Sequence, residues 1–198
     1  LGIGVSHKPL VEGVRGLEYR PPVATMRSYL EKMQGSPYTG RMPEAETPTV
    51  IAALGPKMLA LAAEQASGAH PYFTSPEHTR MAREVMGEGP LLCVEQKVIC
   101  EENPEKARAT ARPVAKIYHM LPNYRNNWLR MGLTDSDIDD LSDRFIDATF
   151  AWGSMDQIRN RIQAHHDAGA DHVCIQPIHP EIGMAVLDWD CLEALSPN

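Results

Sequence analysis

Residues 49–73 read TVIAALGPKMLALAAEQASGAHPYF, and this stretch has the pattern of a strand, a helix and a second strand in succession. Residues 49–53 form a short apolar run that is typical of a buried strand, and Gly55 lies in the turn after it. Pro56 then opens a helix, because its missing N–H is harmless at the first helical position. A second apolar strand is predicted over residues 69–73.

The same order of strand and helix recurs on both sides of this stretch. Further apolar strands are predicted over residues 1–5, 91–100 and 171–178. The predicted helices cover residues 23–33, 56–66, 76–87, 155–169 and 189–195. Another helix is predicted to begin at Asn103-Pro104 and to kink at Pro113, within a helical region with loops that extends to Trp152. Helices that alternate with apolar strands indicate βαβ units and a parallel sheet. The fold class is therefore α/β, with about five parallel strands in a single domain over residues 1–198. The pattern fits a doubly wound sheet or part of a (β/α)8 barrel, since a complete barrel needs about 250 residues.

The composition excludes several classes of protein. The 198 residues carry 19 basic and 26 acidic side chains, a net charge of −7, and 43% of them are hydrophobic. This is ordinary globular composition, which argues against disorder. The acidic balance argues against a nucleic-acid-binding protein, because phosphate affinity comes mainly from Lys and Arg. No apolar run approaches the ~20 residues that span a bilayer. We expect a cytoplasmic protein that binds neither nucleic acid nor membrane.

The four cysteines, Cys93, Cys100, Cys174 and Cys191, lie far apart and form no CxxC motif. This spacing argues against a disulfide scaffold and against a zinc ribbon, and it favours reduced thiols in the cytosol. Cys93 and Cys100 are predicted to lie on opposite faces of one strand, so we do not expect them to bond to each other.

Several segments resemble the bacterial luciferase-like monooxygenase superfamily. Residues 52–68, AALGPKMLALAAEQASG, are similar to the segment after strand five of that family's barrel, with Ser67 where the family has Asp. Residues 1–6, LGIGVS, resemble its strand-four signature. Residues 151–154 and 168–173 resemble its last helix and last strand. The resemblance covers nearly the whole chain in the correct order, and it is strongest for the branch that uses the deazaflavin coenzyme F420.

The resemblance implies a (β/α)8 barrel of the TIM type, of which this chain would supply strands four to eight. Strands one to three would have no counterpart here. A partial barrel would expose apolar sheet edges, so we expect a homo-oligomer. The implied function is a flavin- or deazaflavin-dependent oxidoreductase that acts on a small organic substrate by hydride transfer or oxygenation. Coenzyme F420 is the expected cofactor, with FMN as the alternative.

Candidate cofactor-binding residues lie where the first three strands end, because the working face of a barrel is at the carboxyl ends of its strands. Gly55 allows close approach of a ligand, the helix behind it offers free N–H groups, and Lys57 adds a positive charge, a combination that suits a phosphate. The resemblance places the cofactor phosphate and ring edge here. The candidates are Gly4, Val5, Ser6, His7, Ala53, Leu54, Gly55, Pro56, Lys57, His70, Tyr72 and Thr74. Each group of candidates also has an interpretation without a cofactor. Gly55 and Lys57 would then be a tight turn with a solvated lysine, His7 a surface residue of a loop, and Tyr72 an aromatic side chain of the core.

Other polar residues leave alternatives open. Glu95, Gln96 and Lys97 lie within an apolar strand, where they would either point into a barrel lumen or pair within the core. His165 and His166 are expected at a solvated helix end, since adjacent helical positions diverge by about 100° and cannot easily share one metal. No residue stands out as a catalytic acid or base, and no metal site is expected. The rival functions are a shortened non-catalytic relative that keeps only the phosphate turn, and an unrelated α/β enzyme.

Overall fold

A computed structural model describes residues 1–41 and 43–196; Met42, Pro197 and Asn198 lie outside it. Within the described residues the strands are β1 Gly2–Ile3, β2 Val50–Ala52, β3 Gly68–His70, β4 Leu91–Ile99, β5 Phe150–Trp152 and β6 His172–Pro177. The helices are α1 Pro22–Gly35, α2 Pro56–Gln65, α3 Pro76–Met86, α4 Pro104–Tyr118, α5 Pro122–Arg130, α6 Asp135–Asp139, α7 Asp143–Thr149, α8 Met155–Asp167 and α9 Trp189–Leu195. A π-helical turn covers Pro9–Val14.

All pairs of neighbouring strands are parallel, as the alternating pattern predicts. The strands β1, β2, β3 and β4 pair in chain order. β4 also pairs with β6 along most of its length and with β5 at its carboxyl end. The five predicted strands are thus confirmed. β5 was not predicted, because it has only three residues and follows helix α7 directly, without a turn that would mark it.

Local signals account for the helix boundaries. Pro occupies the first turn of α2, α3, α4 and α5, where its missing N–H costs nothing. The Ser75 hydroxyl accepts a hydrogen bond from the backbone N–H of His78 at the start of α3, and Gly87 ends that helix with φ 70°. Ser154 and Gln157 form a capping box at the start of α8, a pattern that is visible in the sequence. These starts and stops were therefore predictable from residues a few positions apart.

Two large apolar clusters build most of the core, and a third, smaller one contains Val98, Ala151, Ile158 and Cys191. The first lies beneath β1–β3 and includes Leu30, Ile51 and Leu61. The second surrounds Phe73 and Trp128 and is built largely by α4–α7, the four helices between β4 and β5. This second cluster fixes α5 against the carboxyl ends of the first strands, where the candidate residues lie. Among the described residues, none of the helices combines the length and the apolar character that crossing a bilayer requires.

The alternation of β4 resolves the open question about its polar residues. Glu95 and Lys97 point to the inner side of the sheet, where they pair with each other and contact Tyr72 and Phe73. Gln96 points to the helices, where its amide nitrogen donates to two backbone carbonyls. Glu95 and Lys97 therefore fit both interpretations of the sequence, because they face the inner side of the sheet and also pair with each other.

The expectation of a solvated His165 is wrong. His165 is fully buried between α8, α3 and β4. Its Nε2 donates to Gln96 Oε1 at 2.9 Å, and its Nδ1 lies 2.8 Å from the Thr79 hydroxyl. The expectation failed because a polar residue near a helix end is usually solvated, whereas the two hydrogen-bond partners of His165 lie on α3 and β4, far away in the sequence. Burial, with the positive charge of Arg161, lowers the pKa of His165 to about 4, so the ring is neutral at pH 7.

Candidate functional site

A cleft of about 760 Å³ opens at the carboxyl ends of β1, β2 and β3. Every predicted cofactor-binding residue lines it except Thr74. The lining residues among the candidates are Gly4, Val5, Ser6, His7, Ala53, Leu54, Gly55, Pro56, Lys57, His70 and Tyr72. Parallel pairing puts the ends of these strands at one edge of the sheet, so residues from three separate segments share one wall.

Thr74 lies behind this wall. Its side chain is fully buried, and its hydroxyl has no hydrogen-bond partner among the described residues. It directly precedes Ser75, the cap of α3, so the chain has already turned away from the cleft at this position.

The amino terminus of α2 forms one end of the cleft. Gly55 is the N-cap and Lys57 is exposed in the first turn. The guanidinium of Arg130, at the end of α5, lies against Gly55: a β-carbon at residue 55 would be 3.0 Å from Arg130 Nη2. Gly55 therefore leaves room for a second cation beside the positive end of the helix dipole.

The charged side chains that line the described part of the cleft are all basic. Among the lining residues that the structure describes, none is Asp or Glu, although the chain has a net charge of −7. Lys57 and Arg130 supply two positive charges at the α2 end. This arrangement is suited to an anionic group.

Helix α5 contributes residues that sequence analysis missed. Asn123, Tyr124, Asn126 and Arg130 line the cleft on the side opposite the strands. Asn123, Asn126 and Arg130 are three and four residues apart, so they share one helical face, and this polar spacing is visible in the sequence. Sequence alone could not show that this face meets the end of α2.

The loop after β1 is held in an unusual backbone conformation. Ser6 has φ 59°, in the left-handed region, and its carbonyl accepts a hydrogen bond from the Tyr19 hydroxyl at 3.3 Å. His7 is half-buried, with its ring 5.6 Å from that of Tyr124. Burial lowers the pKa of His7, and a hydrogen bond with Asn123 opposes that shift. A neutral His7 at the cleft wall can both donate and accept a hydrogen bond.

The β3 side of the cleft carries two oriented polar groups. His70 Nδ1 donates to the carbonyl of Cys93 at 2.7 Å, which leaves Nε2 as an acceptor in the neutral ring. The Tyr72 hydroxyl donates to Gln176 Oε1 at 2.7 Å and accepts from the Tyr118 hydroxyl at 3.0 Å. Burial raises the pKa of Tyr72, so its phenol stays neutral.

A buried ion pair lies beneath Tyr72. Lys97 Nζ is 3.1 and 3.2 Å from the carboxylate oxygens of Glu95 and 3.7 Å from the centre of the Tyr72 ring. Glu95 also accepts from the backbone N–H of Phe73 at 2.9 Å. Burial lowers the pKa of Lys97 to about 8, against the opposing effect of the Glu95 carboxylate. This pair holds the turn after β3 in place under the cleft.

The sequence matches the profile of the luciferase-like monooxygenase family over residues 1–172, which is most of the chain. The chain belongs to this family. A putative coenzyme F420-dependent oxidoreductase of Mycobacterium tuberculosis is 24% identical to this family member, over 85% of the chain and 67% of the relative.

Solved structures show the fold of this luciferase-like chain. The F420-dependent tetrahydromethanopterin reductase of Methanopyrus kandleri superposes with a TM-score of 0.59 at 17% identity, over 98% of this chain and 71% of that one. An F420-dependent secondary alcohol dehydrogenase superposes with a TM-score of 0.64 at 14% identity, over 100% of this chain and 69% of the dehydrogenase. The oxygenating constituent of a Pseudomonas putida diketocamphane monooxygenase, in complex with FMN, superposes with a TM-score of 0.59 at 17% identity, over 89% of this chain and 64% of the monooxygenase. The fold is thus part of a TIM barrel, which excludes the doubly wound alternative.

Proposed function

We propose that the cleft binds the phosphate of coenzyme F420 at the amino terminus of α2, and that the protein is an oxidoreductase for a small organic substrate. The observation that carries this proposal is that Arg130 lies against Gly55, while Lys57, in the first turn of the same helix, lines the same cleft, whose described lining contains no Asp or Glu. A phosphate meets two cations, a helix dipole and the amide N–H groups of a first helical turn there.

The comparisons favour F420 over FMN without excluding FMN. The Mycobacterium tuberculosis relative and two of the structural neighbours are described as F420-dependent, whereas the Pseudomonas putida protein is in complex with FMN. Both cofactors carry a phosphate, so the α2 end of the cleft suits either. We propose F420 as the cofactor, with FMN as the alternative, and a cytoplasmic location for the protein.

The bound cofactor would supply hydride transfer, and the residues of the chain would bind and orient it. Lys57 and Arg130 would hold the phosphate, and the glycine backbone at residue 55 would allow its close approach. His7, His70 and Tyr72 lie further along the wall and would contact the ring or the substrate. Each of these three side chains carries hydrogen-bonding groups, so they would position the ring or the substrate by hydrogen bonds.

A second candidate is a non-catalytic relative that binds the cofactor phosphate. The chain spans 67% of the length of the curated relative. The observation behind this candidate is that the cleft wall offers a phosphate site, and a phosphate site is sufficient for binding without turnover. The two candidates differ in whether bound cofactor is turned over.

A binding titration followed by fluorescence tests the proposal. F420 is expected to bind the purified chain more tightly than FMN does. Lys57→Ala should weaken F420 binding by about 10- to 100-fold, the usual effect of losing a hydrogen bond to a charged group. The matched control is Lys106→Ala, an exposed lysine of α4 outside the cleft wall, which should bind as wild type does.

Turnover separates the two candidates. Reduced F420 bound to the protein is mixed with a panel of small carbonyl compounds, and its reoxidation is followed by visible absorbance. Reoxidation that depends on Lys57 supports the oxidoreductase. Tight binding without turnover of any compound supports the non-catalytic relative, and absence of binding to F420 and FMN contradicts both.

A further inference from the structure

Two cysteines that are distant in sequence are in contact on the outer side of the sheet. Cys100 directly follows β4, and Cys191 lies in the first turn of α9. Their Sγ atoms are 2.6 Å apart. Cys191 is buried, whereas Cys100 is half-buried and reachable from solvent. The cysteine spacing in the sequence gave no sign of this pair.

We propose that Cys100 and Cys191 are a redox-active thiol pair that low-molecular-weight disulfides oxidise to an intramolecular disulfide. Cys100, the thiol of the pair that solvent reaches, loses its proton and attacks a disulfide RSSR; the S–S bond of RSSR breaks, and the departing RS⁻ takes up a proton and leaves as RSH. The thiolate of Cys191 then attacks the sulfur of Cys100 in this mixed disulfide, and a second RSH leaves with the other proton. The two thiols of the protein are oxidised by two electrons, and RSSR is reduced to two thiols.

A metal site is the competing interpretation of the same cluster. Asp188 lies beside the two cysteines, and one ligand atom from each of the three residues falls within 4.8 Å of the others. Zinc binds each thiolate at about 2.3 Å in a tetrahedral site, which separates two ligating sulfurs by roughly 3.8 Å. The two sulfurs in contact leave no room for an ion between them. Asp188 Oδ1 is also already engaged, since it accepts the backbone N–H of Cys191 at 3.0 Å and caps α9.

The bond would fasten a weakly held part of the chain. α9 has seven residues, and it is attached by a small apolar cluster and by Arg159, which donates to the carbonyl of Ala194. A Cys100–Cys191 bond joins positions 91 residues apart and so closes a long loop in the unfolded chain. Oxidation would thus tie α9 to the carboxyl end of β4.

The other two cysteines provide an internal control. Cys93 and Cys174 lie on the paired strands β4 and β6, on the inner side of the sheet with Glu95. They are on the opposite face of β4 from the cluster that holds Cys191. Replacing Cys174 should therefore leave the proposed bond intact.

The test uses the full chain after dialysis against a chelator. The folded protein is treated with oxidised glutathione, remaining thiols are alkylated in acid-quenched, denatured samples, and the disulfide-linked peptides are identified by mass spectrometry. Wild type and Cys174→Ser should both give a Cys100–Cys191 peptide. Cys191→Ala should stop at glutathione attached to Cys100. The oxidised wild type should melt roughly 5 °C or more above the reduced protein, and Cys191→Ala should show no such shift.

Three results would overturn the proposal. The first is folded wild type without a Cys100–Cys191 peptide after treatment. The second is the same melting temperature for the oxidised and reduced forms. The third is protection of both thiols from alkylation by equimolar Zn²⁺, which would show a metal site. If Cys191→Ala does not fold, Cys100→Ser replaces it, because residue 100 is partly exposed; Cys191 should then stay unmodified by glutathione.

Discussion

The guanidinium of Arg130, from the last turn of α5, lies against the backbone of Gly55 at the start of α2. Arg130 Nη1 donates to the carbonyl of Asn126 at 2.9 Å, which orients the side chain along its own helix. A cation placed beside the positive end of a helix dipole is unfavourable unless an anion joins them. This contact is therefore the main geometric reason to expect a phosphate in the cleft.

Arg130→Gln should weaken F420 binding by about 10- to 100-fold, because a charge-assisted hydrogen bond to the phosphate is lost. Arg130→Lys should recover part of the affinity, since the charge remains but the forked donor geometry does not. Titration at two salt concentrations measures both effects. Arg80→Gln, an exposed arginine of α3 outside the cleft wall, is the control and should bind as wild type does. Unchanged affinity in Arg130→Gln would contradict the assignment.

Gly55→Ala and Gly68→Ala should have opposite consequences. The new β-carbon at residue 55 meets only the flexible end of Arg130, so the fold should be retained while F420 binding falls several-fold. The β-carbon at residue 68 would be 2.1 Å from the carbonyl oxygen of Leu91, where β3 pairs with β4. Gly68→Ala should therefore lower the free energy of unfolding by about 2 to 3 kcal/mol. Urea unfolding together with titration separates the two effects, and equal stability losses would refute this prediction.

Acid should destabilise the protein through His165. Its pKa is lowered to about 4 in the folded state, below the ordinary value of 6.5, so the unfolded chain binds the proton more readily. Its contribution to stability is complete above about pH 6.5 and is lost as the pH falls towards 4, by about 3 kcal/mol in total. In His165→Gln the loss between pH 7 and pH 5 should be smaller than in wild type. His166→Gln, at the neighbouring exposed position, should retain the wild-type dependence in urea unfolding at both pH values.

Lys97→Met should lower the free energy of unfolding by about 3 to 5 kcal/mol, because it leaves the Glu95 carboxylate buried without its partner. The double variant Glu95→Gln with Lys97→Met should be more stable than Lys97→Met alone, since neither charge then remains. A double-mutant cycle from urea unfolding gives the coupling between the two residues. A double variant less stable than Lys97→Met would show that the pair does not act through charge.

The open edges of β1 and β6 lead us to expect a homo-oligomer. Within the described residues β1 pairs with β2 and β6 pairs with β4, and a second copy of the chain can add to a strand edge of this kind. Gel filtration with light scattering should give a multiple of the 22.0 kDa chain mass. A mass equal to one chain at micromolar concentration would rule this expectation out.

Short-range patterns were sufficient for five of the six strands and for the strand side of the cleft. The apolar run of residues 49–53, Pro56 and the capping box at Ser154 each act within one turn or strand, so their effect is visible in the sequence. Parallel pairing then requires the ends of β1, β2 and β3 to lie at one edge. That requirement is why eleven of the twelve candidate residues line a single cleft.

The tertiary structure alone decided the contacts between distant segments. Arg130 reaches Gly55, His165 is buried against Thr79 and Gln96, and Cys100 meets Cys191, and in each case the partners belong to different elements. The sequence by itself determined the alternation of five strands with most of the long helices and the edge at which the cleft forms, but not β5 or the division of the region before it into α5, α6 and α7. The charge of the cleft, the neutral state of His165 and the thiol pair depend on how helices pack on the sheet, because long-range packing sets burial and the neighbours of each polar group.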